Sequence, residues 1–233
     1  MYLVHLIYAM MQLMSNPTDL RTRKRLAMRQ GISDAATLLF QERGFDHVTV
    51  DEIAAAADVG RMTVFNHFPR KEDMFFDRDE EGREILREAL RQRDPAISPV
   101  ETLRLLAHKL VADESPYVRF AAGAKGFVSP GSQGFIETIE GSDTLKARAR
   151  AIRDEIAQVV AEAMALSVKR EAGDIDAILA ANLLLATWTV ALVQAHQSFR
   201  QKQDAAEAKA VFLAIVDKGS VGIKAALAGT VYA

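Results

Sequence analysis

Apolar residues recur at mostly helical spacing along the chain. Leu26, Ile32, Ala35, Ala36, Leu38, Leu39 and Phe40 predict a first helix from about Asp19 to Arg43. Gly44 stands where a helix end wants a left-handed residue, and Phe45 then returns to the core. Thr49 and Glu52, three apart, form a capping box for a second helix whose Ile53 and Ala57 point inward. Asp58, Val59 and Gly60 make a turn, with Val59 anchoring it and Gly60 relieving the backbone. A short third helix is predicted from Arg61 to about His67. Val64, Phe65 and Phe68 give it an apolar side, and Pro69 ends it. One long helix is then expected from Lys71 to about Arg93, with Phe75, Leu86 and Leu90 in one stripe. Its Arg78, Arg83, Arg87 and Arg91 alternate with acids on a mostly solvated face.

The remainder repeats these signals. Ser98, Pro99 and Glu101 read as another capping box, starting a helix that runs to about Ala112. Ser115-Pro116 starts a helix reaching about Lys125, and Gly123, Gly126, Gly131 and Gly134 mark a bent connection. Those glycines lack the Gly-Lys-Ser/Thr ending of a phosphate loop. A short turn of helix covers Phe135 to Ile139, and Ser142 caps a helix from about Asp143 to Leu166. Gly173 and Asp174 close that element and cap the next, Ile175 to about Arg200. The middle of this helix is apolar nearly all round, through Leu183, Leu184, Leu185, Trp188, Val190, Ala191, Leu192 and Val193. A helix of that kind is buried on every side. The last helix, about Ala205 to Ala228, carries Phe212, Ile215, Val216, Ile223 and Leu227 in a similar stripe. Two outcomes stand open: these two helices pair with their mates in a four-helix dimer interface, or they complete the core of one chain.

Composition narrows the class. The 233 residues include no cysteine, which removes disulfides, thiol catalysis and zinc-thiolate sites and suits a reducing cytoplasm. A net charge of -2 argues against coating nucleic acid by bulk charge but leaves room for a local patch. Such a patch is the run Arg21, Arg23, Lys24, Arg25 and Arg29, which has no acid within it. Cations at a helix start oppose the helix dipole. The run therefore either meets phosphate or forms a solvated basic face. The apolar stretch Met1 to Met14, about 14 residues, is too short to span a bilayer. It reads as an over-extended start, an extra packing helix or a membrane signal. The five histidines show no metal-ligand spacing, and neither a nucleophile elbow nor a nucleotide fingerprint occurs. No catalytic, metal or cofactor site is expected.

Two short helices joined by a tight turn are the form of a helix-turn-helix DNA reader. The residues Phe40, Gly44, Phe45, Thr49, Val50, Ile53, Ala54, Ala57, Val59, Thr63, Phe65, His67, Phe68, Lys71 and Glu72 stand at spacings that resemble the DNA-binding domain of the tetracycline-repressor (TetR) family, over about residues 20 to 75. The family usually has Gly at Asp58, Ser or Thr at Gly60 and Tyr at Phe65. The resemblance implies an all-α protein with a three-helix DNA-binding domain at 19–70, after an extension at 1–18. A larger helical effector-binding and dimerisation domain at 71–233 follows, linked by a continuous helix.

On this reading the DNA-contacting residues are Arg23, Thr49, Arg61, Met62, Thr63, Phe65, Asn66, His67 and Lys71. Arg61 suits guanine or phosphate, Asn66 adenine, and the Thr63 methyl a thymine methyl. Thr49 at a helix start grips phosphate, and Lys71 at the next helix start needs an anion. The aromatics Tyr117, Phe120, Phe127, Phe135 and Trp188, with His108 and Thr187 as polar handles, are either a ligand box for a small, largely apolar effector or plain core. The expected function is a non-enzymic, cytoplasmic, homodimeric regulator, ligand-released from a palindromic operator and without a membrane partner. Two rivals are a ligand-binding or interaction protein that no longer reads DNA, and a constitutive architectural dimer.

Overall fold

The computed structural model describes residues 20–120 and 133–233, and no strand occurs among them. Met1 to Met14, Gly123, Gly126, Phe127 and Gly131 lie outside the described residues. The head consists of α1 (Leu20–Arg43), α2 (Val50–Ala56) and α3 (Arg61–His67), with a 3-10 turn at Phe45–His47. A short α4 (Glu72–Phe75) leads to α5 (Asp79–Arg91) and α6 (Pro99–Ala112). After a 3-10 turn at Pro116–Val118 come α7 (Gln133–Glu140), α8 (Asp143–Ser167), α9 (Ile175–Lys202) and α10 (Ala205–Ala226).

Several starts follow the local chemistry. Thr49 makes the full capping box with Glu52, and Ser142 and Asp174 accept from the amides of their first turns. At Ser98 only half a box forms. Its side chain accepts from the Glu101 amide, but the Glu101 carboxylate goes to Arg104 and Lys224 instead. Those two charge-assisted bonds outweigh one to a backbone amide. Gly44 does take positive φ, at 81°. The turn before α3 corrects the expectation for Gly60. Gly60 is ordinary extended backbone (φ -72°), whereas Asp58 adopts φ 52°. Asp tolerates that region better than most side chains do.

The long helix expected from Lys71 is broken at residues 76–78. Its predicted stripe splits accordingly: Phe75 packs in the head with Phe40, while Leu86 and Leu90 pack in the body. The break is held by Ser33 of α1, whose hydroxyl lies 3.0 Å from the Met74 carbonyl and 2.6 Å from the Asp77 carboxylate. The head core also runs past residue 70, taking in Met74, Phe75 and Leu145 of α8. Phe135 of α7 stacks on Phe75 with centroids 4.5 Å apart. Among the arginines of α5, Arg91 is exposed as expected and Arg83 is not. Arg83 bonds both Asp79 and Glu155 of α8, and Arg148 of α8 bonds Glu155 and sits 3.4 Å from Asp73 of α4. This chain of ions straps α4 and α5 to α8. The segment after Ser115 is a 3-10 turn, not the helix start expected there.

Helix α9 lies along α8 and α10, and α10 lies on α6. By length and composition alone α9 could cross a membrane, but one face of it is core: Ala177, Ala180, Ala181, Leu184, Leu185 and Ala191 are buried. The α9–α10 crossing is tight at Gly219. A Cβ there would sit 2.2 Å from Cγ2 of Thr187, so glycine permits the approach. Phe212, Val216, Ile223 and Leu227 of the terminal region are also buried within the single chain. They complete one chain's core and are not free to face a second copy, correcting one part of the dimer expectation. What remains uncovered is a different stripe. On α9 it holds Ile175, Leu179, Ala186, Val190 and Val193. On α10 it holds Ala210, Ala214, Val221 and Ala225.

Candidate nucleic-acid interface

Helix α3 is presented by two apolar anchors. Val64 and Phe68 are fully buried against Ile32, Ala36 and Phe40 of α1 and Ile53 of α2. With those positions inward, Arg61, Met62 and Asn66 are exposed, and Thr63, Phe65 and His67 are half-buried. Met62 is 69% exposed, a large apolar side chain held out on a polar face. Phe65 is not part of the head core, contrary to its assignment to the apolar side. Its ring lies 5.5 Å below the Arg61 guanidinium. Arg61 also pairs with Asp51 of α2 at 2.7 Å, both side chains being more than half exposed. An exposed pair of this kind is worth little and exchanges readily for another anion.

The other end of α3 is held by Arg29. Its guanidinium donates to the carbonyl of His67 and lies 3.9 Å over the Phe68 ring. A cation on the last carbonyls of a helix is favoured by the dipole. Arg29 thus differs from the rest of the basic run in clamping the end of α3. Arg23, Lys24 and Arg25 stay exposed on the first turns of α1, as does Arg21.

Lys71 has a comparable internal task. Its Nζ donates to the carbonyls of Phe45 (2.9 Å) and Val48 (3.0 Å) and stands 4.1 Å over the Phe45 ring. Burial pushes its pKa below the usual lysine value, opposed by Asp46 and Glu72. The anion that a cation needs at this helix start is supplied by carbonyl dipoles. Lys71→Ala leaves two carbonyls without that donor, so it is expected to cost about 1–3 kcal/mol of head stability. DNA affinity should fall for all sequences alike. Unchanged melting with weakened DNA binding would show that Nζ reaches phosphate instead.

Thr49 sits at the start of α2, its hydroxyl 2.7 Å from Glu52 and accepting the Glu52 amide at 3.3 Å. Arg43 bonds the same carboxylate. That bond, followed by those from Thr49, holds the Glu52 pKa down at about 2. The box keeps this helix start ordered and exposed.

The residues expected to form a ligand box do not converge. His108 faces Asp217 of α10 at 2.8 Å within a group containing Arg104, so it braces α6 to α10. Thr187 donates to the Leu183 carbonyl at the Gly219 crossing. Trp188 packs between two parts of the body core. Phe120 is buried beside Phe212 and edge-on to His196. His196 is wholly buried, which holds its pKa down at about 4. Nothing in its local pattern had marked it, since a histidine near a helix end looks like any polar residue there. Among the described residues, Phe120 and Trp188 both pack on Phe212 in the body core, while Tyr117 and Phe135 line one cavity at the junction of head and body.

Known proteins resemble this chain most clearly in the head. The sequence profile of the bacterial regulatory proteins, tetR family, matches residues 32–77. The TetR match thus covers the head alone. Its head is 39% identical over 59 residues to the HTH-type transcriptional regulator TcmR of Streptomyces glaucescens, covering 25% of this chain and 26% of TcmR. It is 35% identical over 68 residues to the HTH-type transcriptional regulator YhgD of Bacillus subtilis strain 168, covering 29% and 34%. The chain thus spans only about a quarter to a third of these curated relatives. Two solved structures share the TetR fold over most of the chain. The SmeT–triclosan complex has a TM-score of 0.52 at 21% identity, covering 84% of this chain and 91% of SmeT. A TetR-family regulator structure from Mesorhizobium loti MAFF303099 has a TM-score of 0.51 at 19% identity, covering 85% and 97%.

Proposed function

We propose that this chain is a ligand-responsive transcriptional regulator of the TetR family that reads a palindromic operator in the cytoplasm as a homodimer. It works by binding and not by turnover. The carrying observation is α3, which buries Val64 and Phe68 and turns out Arg61, Met62 and Asn66 while Arg29 clamps its end. Such a face fits the major groove, where Asn66 pairs with adenine, Arg61 with guanine or phosphate, and Met62 and the Thr63 methyl meet thymine methyls. Arg21, Arg23, Lys24 and Arg25 and the start of α2 at Thr49 reach the flanking phosphates. The open apolar stripes of α9 and α10 supply the twofold contact. Reading heads about 34–36 Å apart, or a larger spacing on a longer site, then set the half-site separation.

Retarded migration of duplex from the region upstream of the protein's own coding sequence, followed across a salt series, tests this. Wild-type protein binds a palindrome, with an affinity that falls as salt is raised. Asn66→Ala loses about 1–3 kcal/mol and relaxes preference at one base position per half-site. If no duplex is retarded even at low salt, the regulator reading is wrong, and a ligand-binding or interaction protein on the same fold takes its place.

A further inference from the structure

Where head meets body there is a cavity of about 200 Å3. Phe75, Phe76, Phe135, Ile152 and Ile156 supply its apolar wall, and the helix break brings Asp77 to it. The rings are already arranged around each other. Phe135 lies parallel to Phe75 at 4.5 Å and edge-on to Phe76 at 5.8 Å. Gly82 lies beside Tyr117, where a Cβ would stand in ordinary van der Waals contact with that ring. The Tyr117 hydroxyl is anchored on the Arg78 carbonyl at 3.1 Å.

Asp77 is the unusual member. It is a part-buried carboxylate that accepts a hydrogen bond from the Ser33 hydroxyl at 2.6 Å, yet it makes no ion pair among the described residues. Burial raises its pKa, offset first by Ser33 and then by the charges of Arg78, which also lines the cavity, and of Arg29. The other acid at the cavity, Asp79, is already committed to Arg83. A part-buried carboxylate without a paired cation favours a positively charged guest, and phenyl faces favour one whose charge lies close to an aromatic surface.

We infer that this joint cavity binds a small aromatic ammonium ion, its ring among Phe75, Phe76 and Phe135 and its ammonium on the Asp77 carboxylate. The inference rests on the proposed regulatory function and supplies that function with an effector class and a seat. The seat touches Thr37 of α1, the break between α4 and α5, α7 and α8 at once. An ammonium on Asp77 competes with Ser33, the group that holds α1 to the break. The guest thereby favours one head angle over another, which is the condition for moving the equilibrium.

Calorimetric titration and thermal shift of the full chain with benzylamine test the seat, with benzyl alcohol and benzoate as neutral and anionic counterparts. Benzylamine is expected to bind and raise Tm. Benzyl alcohol should bind at least about tenfold more weakly, and Asp77→Asn should lose about tenfold in benzylamine affinity. Equal affinity for amine and alcohol, no binding of either, or undiminished amine binding by Asp77→Asn overturns the inference. Should Asp77→Asn fail to fold, the amine-to-alcohol ratio of the wild-type protein still decides. Operator binding is scored separately. A protein that binds its palindrome but not benzylamine refutes the seat and leaves the regulator standing. One that binds benzylamine but no duplex supports the seat and refutes the regulator.

Discussion

Arg29→Ala is expected to abolish specific DNA binding by releasing the reading helix, not by removing a phosphate contact. The guanidinium holds the His67 carbonyl and covers the Phe68 ring, so truncation loses a charge-assisted hydrogen bond and a cation–π contact together. Those sum to about 2–4 kcal/mol, a large share of what stabilises a small head. α3 has only seven residues, below the length at which a helix persists without tertiary support. Exchange of the α3 amides with deuterium should accelerate, the head should melt earlier, and affinity should fall for operator and random duplex alike. Arg29→Lys keeps a charge near the Phe68 ring but loses the planar fork, so it should recover part of both quantities. The phosphate reading makes a different forecast: affinity falls while melting and exchange stay as they were. That result would sink the clamp.

Val190→Asp is expected to convert the protein to a monomer that still folds. Val190 is 53% exposed in the single chain, so the carboxylate costs the isolated fold little. In a twofold interface the same residue appears twice, and each copy brings an unpaired charge into the seam. Breaking a buried environment this way costs about 3–5 kcal/mol, roughly a hundredfold or more in the dimer dissociation constant. Sedimentation should show the shift to monomer. Operator affinity should fall with it, since each half-site is then held singly. If Val190→Asp sediments as wild type does, the open stripe on α9 is not the dimer face.

The head was legible because its signals are local. The capping box at Thr49, positive φ at Gly44 and the inward pair Val64 and Phe68 all follow from spacing and side-chain type. The break after Phe75 was not. Nothing between Phe75 and Asp79 forbids helix, and it is the ring stack of Phe75 with Phe135, 60 residues on, and the bond from the Ser33 hydroxyl to Met74, 41 residues on, that favour bending there. The same distance in sequence hid the tasks of Arg29 and Lys71, whose partners are backbone carbonyls that no motif records. Apolar pattern alone also could not say which side of α9 meets α10 and which stays open. Gly219 decides that by letting Thr187 come close, a fit that appears only once the helices cross. The ligand residues were least legible. Aromatics at helical spacing look alike whether they fill a core, as Phe120 and Trp188 do, or line a cavity, as Phe135 does.

Arg29 and Lys71 carry one more consequence. Binding to a duplex draws much of its driving force from small cations set free as protein charges displace them from the phosphates. Arg29 and Lys71 keep their charge, but their bonds to their own backbone hold them in place and leave them less free to reach a phosphate. The head therefore has fewer mobile charges to offer than its basic residues suggest, and they are concentrated on the first turns of α1. On the proposed function, shape and base contacts then carry a correspondingly larger part of its grip on an operator.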